Sequence, residues 1–347
     1  RSSDLCTPAK AELVWQDAMN LVTDIKYNAD SNGGNISFKV DRSSIRQGNA
    51  VIAIKDVSDA ILWSWHVWVT DEDINNVIEI TNHQNVKYNF MPVNLGQCDG
   101  NTITYEERSC KVKFIAGDQS KEITIKQLAN VIATGSNAPF YQWGRKDPLY
   151  PSNGMGNTTK IWYDKEGIPS TANPMKGTFS AGNDCIKNCI LNPNLMHNRY
   201  NGDYTYYNLW SADNKTTSAN DNPVNKTIYD PCPVGFKLPA SNAFTGFTTT
   251  GESVSSSTQV NGTWSSSEKG WYFYTNSEKT QSIFFPALGY RSYSTMRPGS
   301  IGTQGCFWSA HPVAKGNNYY LRTSSVDVQP TYMVDRGFGY ALRPCQD

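Results

Sequence analysis

Short runs of alternating apolar and polar residues, separated by turn-forming residues, recur along most of this 347-residue chain. Residues 36–40 alternate with the period of two that a half-buried strand requires, and 50–54 and 61–69 are apolar enough for buried strands. A hairpin is predicted where 111–114 and 122–125 flank a turn. Further short strands are expected at 270–274, 282–285, 306–309, 319–322 and 340–343.

Helical periodicity, by contrast, is scarce. The apolar residues of 9–22 fit neither a 3.6-residue nor a 2.0-residue period, so that segment predicts neither a helix nor a strand. Aromatic residues make up 12% of the chain and charged residues only 18%, with Gly, Ser, Thr and Asn filling much of the remainder. This composition favours strands joined by long loops.

Charge and hydropathy argue against binding to nucleic acid and against a transmembrane segment. The chain has 31 basic and 31 acidic residues, so no net field attracts it to nucleic acid. It also has no run of about 18 apolar residues, so we expect no transmembrane segment.

A long polar stretch from 136 to 230 is the first choice for a ligand-binding surface. It is rich in Asn, Gly, Ser, Thr, Tyr and Pro, and so long an irregular stretch suggests loops with a surface role. Sugar rings stack on aromatic faces while Asn and Asp meet their hydroxyls. The predicted ligand-binding residues are therefore Trp162, Tyr163, Tyr204, Tyr206, Tyr207 and Trp210. The alternative is that these rings pack the loops onto the core.

Other tryptophans are predicted to belong to the core. They are Trp63, Trp65, Trp68, Trp143, Trp264 and Trp308, and this expectation is what the family resemblance described below implies.

No catalytic or metal site is predicted. The four histidines are scattered, and none lies in HExxH or a nucleophile motif; His66, within an apolar strand, is expected to be structural. Cys185 and Cys189 would face one side of a helix, but zinc there would need two more ligands, and His197 is the only nearby histidine. We therefore expect no metal, no cofactor and no enzymatic activity.

Oxygen ligands for calcium are plentiful in one region. They belong to Asp213, Asp221, Asp230, Asn214, Asn220 and Asn222. Their spacing matches no EF-hand, and stretches rich in Asp and Asn commonly form turns.

Eight ordered blocks carry a resemblance to a known family. They are residues 48–53, 63–71, 90–96, 141–148, 230–239, 284–291, 305–309 and 337–345. Through these blocks nearly the whole chain resembles secreted Bacteroidetes proteins, namely the Fibrobacter succinogenes major paralogous domain and related domains of fimbrillin-like surface proteins. The resemblance implies an α+β, β-rich, C-type-lectin-like fold with long loops, as in formylglycine-generating enzymes. That fold would occupy 131–347 after a β-rich N-terminal portion at 1–130, or a single domain would span 1–347.

Family members look like outer-surface lipoproteins, fimbrial tip subunits or adhesins. The resemblance therefore implies a non-enzymatic adhesin or fimbrial tip-like protein, secreted to the outer membrane or fimbria, whose loops bind a surface glycan or protein. One alternative is a structural assembly subunit that binds other pilins. A formylglycine-generating enzyme is disfavoured, because Cys306 and Cys345 are far apart and neither has a second cysteine beside it.

The eight cysteines leave disulfide bonding open. An even number in a β-rich chain fits an oxidising compartment. Cys98 with Cys110 would close a short loop, and Cys232 with Cys345 would tie the tail to the domain. Free buried thiols would pack equally well.

Overall fold

Strands dominate the fold. The computed structural model describes residues 7–100, 102–133, 135–154, 156–178, 183–198, 209–213, 218–313 and 316–347. Its strands up to residue 133 are β1 (Lys10–Gln16), β2 (Thr23–Asn28), β3 (Asn35–Lys39), β4 (Gly48–Lys55), β5 (Ile61–Val69), β6 (Ile78–Thr81), β7 (Lys87–Phe90), β8 (Thr102–Tyr105), β9 (Arg108–Ala116), β10 (Gln119–Gln127) and β11 (Asn130–Ala133).

Shorter strands follow, together with a few helical segments. The strands are β12 (Tyr141–Gln142), β13 (Trp162–Tyr163), β14 (Pro169–Ser170), β15 (Met175–Gly177), β16 (Leu195–His197), β17 (Phe236–Lys237), β18 (Gly262–Ser265), β19 (Gly270–Tyr274), β20 (Ser282–Pro286), β21 (Tyr290–Arg291), β22 (Pro298–Gly299), β23 (Gly305–Pro312), β24 (Asn317–Thr323), β25 (Val328–Asp335), β26 (Gly339–Tyr340) and β27 (Cys345–Gln346). The described helical segments are α1 (Asn183–Leu191) and two 3-10 segments, Ser241–Phe247 and Ser257–Gln259.

The largest sheet has the strand order β14-β13-β1-β4-β5. Its strand β4 is buried along most of its length, because consecutive apolar residues fill both of its faces. Strand β5 pairs antiparallel with β4, with Ile52 opposite Trp65, and forms the edge of the sheet.

Strands that are far apart in the sequence share sheets. Gln16 of β1 pairs with Tyr163 of β13, and Phe90 of β7 pairs with Cys345 of β27. The division at residue 130 stays a prediction, but hydrogen-bonded strands connect the portions on either side of it.

Aromatic side chains fill the core. In one cluster the rings of Phe247 and Phe273 stack with centroids 3.9 Å apart, and Phe285 meets Phe247 edge-on. In a second cluster Trp308 packs against Tyr340 with centroids 4.4 Å apart. Both cores draw on the closing blocks of the chain, so those blocks build the scaffold.

The expected α+β, C-type-lectin-like fold is wrong. Strands make up 43% of the structure and helices 6%, and the strands form several small antiparallel sheets. An α+β fold needs helices that form a layer against its sheet. The abundant Gly, Asn, Ser and Thr disfavour helices, so within the described residues α1 is the one α-helix. The expectation of a β-rich chain is confirmed.

The local strand predictions are largely confirmed. The predicted hairpin is β9–β10, with Lys113 opposite Glu122 and Gly117 in its turn at a φ of +61°. Residues 9–22 fitted no single period because they contain β1, a turn and the approach to β2.

Candidate functional site

Two of the predicted ligand-binding aromatics lie in the largest sheet. Trp162 stacks on Tyr150 with centroids 4.4 Å apart and an interplanar angle of 8°. Its indole Nε1 donates to the carbonyl oxygen of Ala172 at 3.0 Å. Tyr163 is half-buried beside it. Trp162 therefore packs β13 against Tyr150 and the segment that contains Ala172.

Trp210 lies in the core. Its side chain is 0% exposed, and its Nε1 donates to the carbonyl oxygen of Tyr229 at 3.0 Å. Its ring packs against Trp143, with centroids 5.3 Å apart. A ring with no accessible face cannot stack on a sugar, so we correct the ligand-binding assignment of Trp210. Tyr204, Tyr206 and Tyr207 lie outside the described residues.

The four cysteines considered for disulfides are free thiols. Cys98, Cys232 and Cys345 are buried, whereas Cys110 is exposed on β9. Burial raises the pKa of Cys98 and of Cys345 to about 12. These two thiols are therefore protonated and unreactive at neutral pH.

The Asp-rich segments serve as structural anchors. Oδ1 of Asp221 accepts hydrogen bonds from Nδ2 of Asn82 at 2.6 Å and the hydroxyl of Tyr88 at 2.7 Å. Asp230 accepts from the backbone amides of Cys232 at 2.8 Å and Leu238 at 3.1 Å.

The other calcium candidates follow the same pattern. Asp213 accepts a hydrogen bond from Asn225, and the side-chain oxygen of Asn220 accepts one from the backbone amide of Asn222. Asn214 lies outside the described residues. The oxygens that could have bound calcium thus stabilise turns and join distant segments.

A groove of about 580 Å³ lies between the β2–β3 hairpin and the β4–β5 part of the sheet. We call it the β5 groove. It is lined by Tyr27, Gly33, Gly34, Asn35, Ile36, Phe38, Ile52, Ile54, Trp65, His66 and Val67. Its volume lies within the range of small-ligand sites.

Strand alternation builds the floor and rim of the β5 groove. Directly opposed residues of an antiparallel pair share a face, so Trp65 lies beside Ile52. Trp65 is 43% exposed and Phe38 is 40% exposed, so two aromatic rings are accessible at the rim. Among the described residues of the lining, none is Lys, Arg, Asp or Glu. The groove therefore suits a neutral ligand.

The β2–β3 hairpin is braced at its tip. Oδ1 of Asp30 accepts hydrogen bonds from the amides of Asn32 at 2.7 Å and Gly34 at 2.8 Å. Gly34 has a φ of +86°, and a Cβ there would lie 2.6 Å from the ring of Tyr27. The turn therefore requires glycine, and it holds one wall of the groove in place.

His66 contributes structure rather than acid–base chemistry. Its Nε2 lies 2.9 Å from Oδ1 of Asn49, and its Nδ1 lies 3.1 Å from the hydroxyl of Tyr141. Nδ2 of Asn49 donates to Asp17 at 3.0 Å, so the Asn49 oxygen accepts and His66 Nε2 carries the hydrogen. Burial lowers the pKa of His66 to about 4. The imidazole is neutral, as its structural role predicts.

A second exposed surface is the arm, residues 102–133, formed by β8–β11. Every side chain from 104 to 131 is exposed except the half-buried Val112. Val112 lies opposite Ile123, and Cys110 lies opposite Ile125, so one face of the arm is apolar. Exposed apolar surface of this kind marks protein contacts.

The β5 groove was missed because Trp65 was expected in the core. Alternation placed Trp65 on a strand face, but only long-range pairing makes β5 an edge strand beside the β2–β3 hairpin. The exposure of Phe38 depends on the same arrangement.

No helix in the described part of the chain combines the length and apolarity needed to cross a membrane.

Comparison with known proteins identifies no relative. No family model, curated protein or solved structure matches the chain.

Proposed function

We propose that this chain is a non-enzymatic cell-surface protein of the adhesin or fimbrial-tip type that binds its ligand in the β5 groove. The observation that carries the binding role is the pair of accessible rings, Trp65 and Phe38, above an aliphatic floor. The surface location and the secreted state are supported by the resemblance of the eight sequence blocks.

The chemistry of the lining favours a protein ligand over a glycan. Ile36, Ile52, Ile54 and Val67 offer apolar contacts, whereas a sugar needs several polar partners for its hydroxyl groups. An apolar side chain of a partner protein would bury its surface against this floor. Stacking of a sugar ring on Trp65 or Phe38 is the competing mode.

A binding screen on the whole chain tests this proposal. Peptide display and a glycan array would identify ligands, and Trp65→Ala would then be compared with wild type. Buried aromatic anchors cost about 2 kcal/mol or more when truncated, so we expect affinity to fall about 30-fold. The matched control is Phe114→Ala, which removes an exposed ring from the arm. Unchanged affinity in Trp65→Ala would refute the groove as the binding site.

A second candidate, the assembly subunit, is favoured by the arm. Phe114 is 57% exposed and Ile125 is 53% exposed, so this apolar face of the arm is uncovered. An isolated two-stranded ribbon is only marginally stable, and packing against another surface would stabilise it. A partner pilin that covers this face would bury both side chains. Loss of pilin binding in Phe114→Ala, with Trp65→Ala unaffected, would support this function.

A further inference from the structure

Three potential metal ligands converge outside the β5 groove. The side-chain ligand atoms of Cys185, Cys189 and His197 all lie within 4.8 Å of one another. Sγ of Cys189 is 2.9 Å from Nε2 of His197. Cys185 and Cys189 are four residues apart in α1, so they share a helix face. His197 comes from the separate strand β16, so the fold itself assembles the cluster.

The backbone of His197 is held by one side-chain amide. The His197 amide donates to Oε1 of Gln142 at 2.9 Å, and Nε2 of Gln142 donates to the His197 carbonyl at 3.0 Å. Gln142 is 3% exposed and also donates to the carbonyl of Gly337 at 2.6 Å. His197 is therefore positioned independently of α1.

Arg145 fixes the segment that leads into β16. Its guanidinium donates to the carbonyl oxygens of Pro193, at 2.8 Å, and Leu195. Its positive charge also favours the thiolate form of Cys189, an effect that acts to lower the pKa of that thiol. The hydrogen bond with Cys185, together with burial, outweighs it and raises the pKa of Cys189.

We propose that Cys185, Cys189 and His197 bind one zinc ion. Thiolate and imidazole are the preferred ligands of zinc, and two cysteines with one histidine leave a fourth tetrahedral position for water. Zinc bond lengths of about 2.3 Å to sulfur and 2.1 Å to nitrogen imply a separation of about 3.6 Å between Sγ and Nε2. The observed pair would need to open by less than 1 Å.

The binding step balances in charge. Each cysteine would lose its thiol proton to solvent, and the histidine would donate the lone pair of a ring nitrogen. The two thiolates then neutralise the charge of the zinc ion. Zinc bound by Cys185 and Cys189 needs two further ligands. The fold brings His197 close enough to be the third, and a water molecule would be the fourth.

Cobalt(II) is the probe for this site, because its thiolate complexes absorb light. The whole reduced chain would be loaded with cobalt or zinc, desalted, and analysed for metal content. We expect about one ion per chain and a thiolate-to-cobalt charge-transfer band. Cys185→Ser and Cys189→Ser should lose the band. Cys110→Ser, which removes the exposed thiol of the arm, should retain it.

A measurement on the wild-type chain keeps the test independent of folding in the variants. Zinc should protect Cys185 from alkylation, as mapped by mass spectrometry, while Cys110 reacts with and without zinc. Absence of stoichiometric metal from the reduced wild-type chain would overturn the proposal. A cobalt band that persists in both α1 variants, or equal alkylation of Cys185 with and without zinc, would also overturn it.

Discussion

At the residue scale, two buried arginines of the closing sequence blocks, Arg291 and Arg343, have structural roles. The guanidinium of Arg343 donates to Oδ1 of Asn94 at 2.7 Å and to the carbonyl oxygens of Pro92 and Phe284, each at 2.7 Å. Arg291 similarly donates to the carbonyl of Met296 at 2.6 Å. Burial lowers the pKa of both arginines to about 9. Through these hydrogen bonds Arg343 joins distant segments of the chain.

Replacement of Arg343 should therefore destabilise the fold. Arg343→Met fills similar space but leaves buried acceptors unpaired, at about 1–3 kcal/mol each. We expect the free energy of unfolding, measured in urea, to fall by at least about 3 kcal/mol. Arg42→Met at an exposed position is the control. A loss below about 1 kcal/mol would contradict the structural role.

His66 should make stability depend on pH. Its pKa is about 4 in the folded chain against 6.5 without burial, so the unfolded chain binds more protons between these values. Nearby Asp17 and Asp147 oppose this shift but are outweighed by burial. The free energy of unfolding should therefore rise with pH from about 4 to 6.5. Above pH 6.5 the contribution of neutral His66 to stability should be complete.

Urea titrations at two pH values measure this effect. From pH 7.5 to pH 5, His66 should account for a loss of about 2 kcal/mol. His66→Gln keeps a polar side chain without a titrating group, so its stability should change less over this range. An identical pH dependence in wild type and variant would show that His66 does not contribute.

At the element scale, the arm is separable from the body. Tyr105 and Asn130 already pair across the β8–β11 ribbon. Replacing residues 106–129 with Asn-Gly would close that ribbon with a favoured two-residue turn. Because every removed side chain except the half-buried Val112 is exposed, we expect the free energy of unfolding to change by no more than about 1 kcal/mol in urea. A loss above about 3 kcal/mol would mean that the arm stabilises the core.

At the scale of the whole molecule, local sequence patterns were enough to predict where strands form. Pairing and packing between distant segments determine which side chains of those strands and loops are buried or exposed. Alternation identified β3 and the β9–β10 hairpin, because each strand carries its own period of two. The burial of Trp210 depends on Trp143 and Tyr229, which are distant in sequence.

The candidate sites were harder to predict than the strands. Trp65 became a groove residue because β5 is an edge strand beside the β2–β3 hairpin. The Cys185–Cys189–His197 cluster depends on Gln142 and on where β16 packs. Two blocks that carried the family resemblance contain Ile52 and Trp65 of the groove, but the tryptophans of those blocks were expected in the core, so the resemblance did not indicate the groove.

Hydrogen–deuterium exchange of the whole chain, with and without a ligand from the binding screen, tests the proposed function most directly. The account predicts that bound ligand slows exchange in the peptides that carry β2, β3 and β5, with Trp65 and Phe38 at their centre. Slowed exchange confined to the arm, with no change in those three strands, would contradict it.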